Sequence, residues 1–178
     1  MRRVLALAAA LLFAACHSAP ERSRSERTEN EFDAREPLRE AEVILPTFPA
    51  EADLVEFEVG PAGSHHYFVD EKSIVVGADD IVRYSVVVRA SGGAVNVLYE
   101  GLRCATAEKR IYAVGRADGK WVKSRRSEWE EIRIGVPNEY QAALFRDVFC
   151  IGRGMVRSRA EALSRLKSGE RARDAIRP

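Results

Sequence analysis

The chain is 178 residues long, 46% hydrophobic and 31% charged, with 28 basic against 27 acidic side chains. That length accommodates one domain with a sizeable core. The near-neutral balance excludes a general nucleic-acid binder, whose domain would be strongly basic.

Arg2 and Arg3 precede an apolar run from Val4 to Ala15, which ends directly before Cys16. The run is short of the roughly 20 apolar residues that a membrane span needs and has the layout of an export signal. A cysteine straight after Ala14 and Ala15 resembles a bacterial lipobox, with Phe13 where leucine is commonest. On that reading residues 1–15 are removed, Cys16 is acylated, and the membrane is reached through the lipid. His17 at the next position, rather than aspartate, fits sorting to the outer membrane on the periplasmic side of the envelope. Loss of the two arginines takes the formal charge from +1 to −1. Cys104 and Cys150 then remain as an even pair in an oxidising compartment. They are expected to form a disulfide, and closing their loop is worth roughly 4 kcal/mol in the chain-entropy model. Two buried free thiols are the alternative. Neither cysteine has a second cysteine or histidine at metal-ligand spacing.

Residues 16–41 are charged and almost without apolar side chains, so they read as a flexible tether reaching about 30 Å. Pro46 and Pro49 suggest an extended lead-in to a domain over 42–152. Strand-like stretches follow at 54–59, 67–69, 73–76, 81–89, 95–104 and 109–115, with weaker ones at 121–122 and 129–134. The turns between them are short, which argues for antiparallel pairing, and Asp118-Gly119 suits a type I′ turn. Asn138, with Gln141 three residues on, resembles a capping box. Tyr140, Leu144 and Val148 then recur every four residues, beside Phe145 and Phe149, and predict a helix ending at Cys150. A second short helix is expected from Ser158, capped through Glu161 and ended by Gly169. The expected class is α+β and β-rich: an antiparallel meander sheet, one C-terminal helix packed on it, and a second short terminal helix within a basic region at 153–178.

Residues 57–61, 67–70, 82–84, 99–104, 115–119 and 138–144 together resemble the cryptic neisserial protein-like family of proteobacterial envelope proteins. The Tyr-Glu-Gly-Leu-Arg-Cys run ending at Cys104, with the later Phe149-Cys150, is the most specific part. The resemblance covers about residues 42–150, and implies the domain, its export and pairing of the two cysteines. It implies no reaction. Asp80 stands where the family pattern leads one to expect glycine.

Candidate chemistry is sparse. His65 and His66 would point to opposite faces of a strand, so they would chelate one ion poorly even with Asp70 as a third ligand; an exposed pair is the plainer reading. Ser64 beside His65 lacks the Gly-x-Ser-x-Gly elbow of a serine hydrolase. Glu100 and Glu139 are the residue types of a glycosidase pair, with nothing in the sequence to bring them together. Tyr99, Arg103, Asn138 and Tyr140 could gather where the helix docks on the sheet, forming either a carboxylate- or sugar-binding seam or a structural network. In the basic tail Arg153, Arg157, Arg159, Arg165, Lys167, Arg171, Arg173 and Arg177 face only Glu161, Glu170 and Asp174, which suits either contact with an anionic envelope surface or a solvated helix. No cofactor, metal or catalytic residue is expected. The functional expectation is a non-catalytic envelope binding or interaction module, with a hydrolase of cell-wall or lipid material as the alternative.

Overall fold

Residues 54–57 alternate in the pattern of a half-buried strand, and in the computed structural model they open a sheet that then grows in chain order. The structure describes residues 39–60, 65–136 and 139–174, with side chains described through Gly169. The strands are β1 (Leu54–Phe57), β2 (His65–Asp70), β3 (Val75–Val76), β4 (Ile81–Ala90), β5 (Val95–Arg103), β6 (Glu108–Gly115), β7 (Trp121–Lys123) and β8 (Glu130–Glu131). Among the described residues the sheet order is β1-β2-β4-β5-β6-β7, every pairing antiparallel. β3 continues along the edge of β4 used by β2, and β8 along the edge of β6 used by β7. This is the expected meander.

Strand β4 is buried on both faces over its first eight residues, which accounts for the near-continuous apolar run that marks it in the sequence. One face is closed by α1, an α-helical turn (Tyr140–Ala143) that widens into a π-helical stretch (Leu144–Phe149). Leu144, Val148 and Phe149 pack there with Val82, Tyr84, Val86 and Leu102. Helix α2 (Arg159–Asp174) adds Ala162 and Leu166 to the same core. Between the helices lies a short hairpin of β9 (Cys150–Ile151) and β10 (Gly154–Met155). The Cys104–Cys150 disulfide ties the end of β5 to the end of α1, at a Cα separation of 5.6 Å.

The opposite face is covered by residues 39–48, which form neither helix nor strand. Val43 and Leu45 pack on a second small core of Tyr99, Tyr112 and Ala113, with Trp121 at its margin. The Phe48 ring lies over Gly115, where a Cβ would come within 2.7 Å of it. Glu40 and Ala41, which composition places in the tether, bond to the sheet and belong to the folded body. The Glu40 charge reads as solvated only while the opposing charges on the sheet are unseen.

Three local expectations are corrected. The Asp118-Gly119 turn is not type I′: Gly119 has a positive φ and Asp118 does not, and Gly119 N–H donates to Arg116 C=O at 3.0 Å. That is a type I turn closed by a left-handed glycine, which matches strand twist with one such residue. Gln141 does not serve a capping box, because its carboxamide is engaged by Glu100 and Lys109; Asn138 lies outside the described residues. Gly169 does not end α2, which runs on to Asp174, although its start is as expected, with Glu161 N–H donating to Ser158 Oγ at 3.2 Å. Asp80 adopts φ +59°, the left-handed conformation that glycine takes most readily.

Candidate functional site

Alternation along β4 and β5 assigns their polar residues to opposite faces. Tyr84 and Glu100 face the helices. Arg83, Ser85, Tyr99, Gly101 and Arg103 face the segment 39–48. The seam expected from Tyr99, Arg103, Asn138 and Tyr140 is accordingly split: Tyr99 and Arg103 lie on one face and Tyr140 on the other. Adjacent strand residues cannot share a face, and the helix docks over Glu100 rather than over its neighbours.

On the helix side Glu100 is fully buried. Its Oε1 accepts from Tyr140 Oη at 2.6 Å and Gln141 Nε2 at 3.2 Å, and its Oε2 accepts from Tyr84 Oη at 3.1 Å. Burial raises the carboxyl above its ordinary value, while the bonds from Tyr140, Tyr84 and Gln141 and the Lys109 charge pull the other way. Burial likewise pushes the Tyr84 and Tyr140 phenols well up, and the Glu100 charge adds to it. Glu139 accepts from Lys109 Nζ and from Arg133 Nη2 at 3.2 Å, and Lys109 also reaches Gln141 Oε1 at 3.5 Å. Glu100 and Glu139 are thus linked through Gln141 and Lys109, although nothing in the sequence joined them. Each oxygen of Glu100 is already engaged and none of its surface meets solvent, so in this structure the network locks α1 to the sheet.

The other face holds a cluster that the sequence reading did not assemble. Arg83 is clamped by Asp79, with Nη1 to Oδ1 at 3.1 Å and Nη2 to Oδ2 at 2.6 Å, both residues being buried. Burial works against the Asp79 charge, but the Arg83 bonds, the Ala41 amide and the guanidinium charge outweigh it and hold the carboxyl below its usual value. Gly77 makes room for this pair, since a Cβ there would lie 2.2 Å from Asp79 Oδ1. Gly101 does the same for Tyr112, whose Oη would sit 2.5 Å from a Cβ. Tyr112 reaches across the strand because the β5–β6 register shifts beside it. Arg103 stacks on Trp129 at 4.1 Å and pairs with Glu108 at 3.1 Å.

Into this cradle the chain inserts Glu40. Its Oε1 accepts from Tyr112 Oη at 2.7 Å, and its Oε2 from Arg110 Nη1 at 2.7 Å and Trp129 Nε1 at 3.2 Å. Arg83 Nη2 stands 3.6 Å from Oε1. Two guanidiniums, a phenol and an indole converging on one carboxylate form a carboxylate-binding site. One sequence signal for it existed: Arg83 interrupts an otherwise buried strand, and a buried arginine needs an acid. Which acid is a tertiary fact.

The remaining candidates are dispersed. His66 Nδ1 lies 2.8 Å from Glu56, whereas the His65 ring lies 6.2 Å from Tyr67, so the two histidines do face opposite ways. Asp70 is buried at the far end of β2, where its carboxylate accepts from Lys72 N–H at 3.0 Å. Among the described residues no group of three or more histidine, cysteine or acidic side chains could hold a metal, and no helix is long and apolar enough to cross a membrane. Ser64 and Cys16 lie outside the described residues. In the basic tail Arg159 donates to Glu71 C=O at 2.8 Å, Lys167 pairs with Glu71 and Arg165 donates to Cys150 C=O at 3.3 Å. These three help dock α2 on the body.

A meander sheet closed on one side by a disulfide-tied helix and on the other by its own N-terminal segment thus carries the anion cradle. A family model described as the CNP1-like family matches residues 33–167, and the chain belongs to that family. The match begins ahead of Glu40 and ends within α2, so it spans both coverings of the sheet. No curated protein and no solved structure matches the chain.

Proposed function

We propose that this is an exported envelope protein, lipid-anchored at Cys16 and sorted to the outer membrane, whose folded body is a non-catalytic binding module with its ligand face on the cradle side of the sheet. The observation that carries the binding reading is the convergence of Arg83, Arg110, Tyr112 and Trp129 on one carboxylate. Export is supported by the signal-like first sixteen residues and by the Cys104–Cys150 bridge, which suits an oxidising compartment. Contact of the basic tail with an anionic surface falls to residues other than Arg159, Arg165 and Lys167, such as the exposed Arg153.

The experiment has two arms. Cells expressing the chain are labelled with palmitate, and Cys16→Ala should abolish the label. Purified protein is then incubated with cell-wall sacculi and with phospholipid vesicles, and both retention and released products are followed over time. Retention without soluble sugar–peptide fragments or free fatty acid is the expected result. Steady release of either product would replace the module with the hydrolase alternative, for which Glu100 and Glu139 would be the first acids to substitute.

A further inference from the structure

The cradle is filled by the chain itself, and the way it is filled suggests what it takes in trans; this inference rests on the binding-module reading. Among the described residues no backbone–backbone hydrogen bond ties residues 39–49 to the sheet. The segment is held through side chains: Glu40 in the cradle, Ala41 N–H on Asp79 Oδ2 at 2.8 Å, and Trp121 Nε1 on the Pro46 carbonyl at 2.9 Å. Val43 and Leu45 rest on the Tyr99–Tyr112 cluster, and Phe48 meets Trp121 at 5.2 Å between ring centroids. An occupant held in this way can leave without breaking any strand ladder.

The receptor, in contrast, is organised without its occupant. Asp79 fixes Arg83, Glu108 fixes Arg103, and Trp129 is stacked under Arg103. Arg83 Nε and Ser85 Oγ, neighbours on the cradle face of β4, are buried with no hydrogen-bond partner, so Glu40 leaves polar capacity unused. Preorganised donors with a side-chain-held filler are the arrangement of a site with a tethered competitor.

We infer that the cradle face is a peptide-binding site and that residues 39–48 are its tethered occupant, displaced by an extended segment of a partner protein with the same chemistry. That chemistry is a carboxylate side chain followed, three and five residues on, by apolar side chains, as Val43 and Leu45 follow Glu40. The carboxylate meets Arg110, Tyr112 and Trp129, and the apolar pair lies on the aromatic shelf.

The probe is a fluorescent peptide with the sequence of residues 39–48, titrated into the purified full chain and followed by anisotropy. Glu40→Lys sets a positive charge against the two guanidiniums and should expel the native segment. This variant should bind the peptide at least tenfold more tightly than the unsubstituted chain, where a tethered competitor acts at an effective concentration of about millimolar. Adding Arg110→Ala, or replacing the peptide glutamate that corresponds to Glu40 (and not the one at Glu42) with glutamine, should remove the gain, and added salt should weaken binding. Glu40→Gln is the milder variant should Glu40→Lys fail to fold. Equal binding by the unsubstituted chain and the Glu40 variants, or by the glutamate and glutamine peptides, would overturn the inference. Retention on sacculi alongside that outcome would leave the binding module standing with a different site, whereas peptide binding without retention would keep this site and set aside cell wall and lipid as its ligands.

Discussion

At the residue scale the molecule contrasts two buried acids. Asp79 folds beside a guanidinium and is held ionised, whereas Glu100 folds among phenols and a carboxamide, and burial favours its neutral form. For Glu100 the folded state keeps its proton at pH values where the unfolded chain, near the ordinary 4.5, has released it. Stability therefore falls as pH rises from about that value through the raised folded value, and is level beyond it. Glu100→Gln should reduce this slope in urea unfolding measured from pH 4.5 to 8, leaving the contribution of Asp70, whose carboxyl burial also raises, and that of Asp79, which is lost only toward acid. A slope unchanged by the substitution would remove Glu100 as its source. In the sequence Glu100 and Glu139 could be named as acids and nothing more, because the groups that engage them, Tyr84, Tyr140 and Lys109, come from three separate elements.

Elements were more legible than their ends. Period-two patterning located β1, a near-continuous apolar run marked β4, and the Tyr140, Leu144, Val148 spacing located α1, because burial leaves a direct trace in residue order. The widening of α1 into a π-helical stretch left none. The Cys104–Cys150 bridge joins two of these elements across 46 residues and anchors α1 at the end opposite the Glu100 network. Replacing both cysteines with serine should lower unfolding stability by about 2–4 kcal/mol. Urea titration under non-reducing conditions, against the unsubstituted chain, measures it. A loss well under 1 kcal/mol would mean that the helix is held by the Glu100 network and the apolar core alone.

At the scale of the whole molecule the sheet separates two tasks. Its helix side is sealed by apolar packing, a buried acid network and a disulfide, and its other side carries arginines and aromatics under a segment attached only through side chains. Composition hid this division, because residues 39–41 look like tether and Arg83, Arg103 and Arg110 look like scattered surface charge until the meander sets them on one face. The central claim is that the covering segment is separable from the fold beneath it. Native-state hydrogen exchange tests this most directly, since amides that open locally exchange with a smaller free energy than those that require global unfolding. The Ala41 amide and the Trp121 and Trp129 indole N–H groups should exchange through a local opening, well before the paired amides of β4 and β5. Exchange of all these groups together, at the free energy of global unfolding, would show the segment to be an integral part of the core and would contradict the claim.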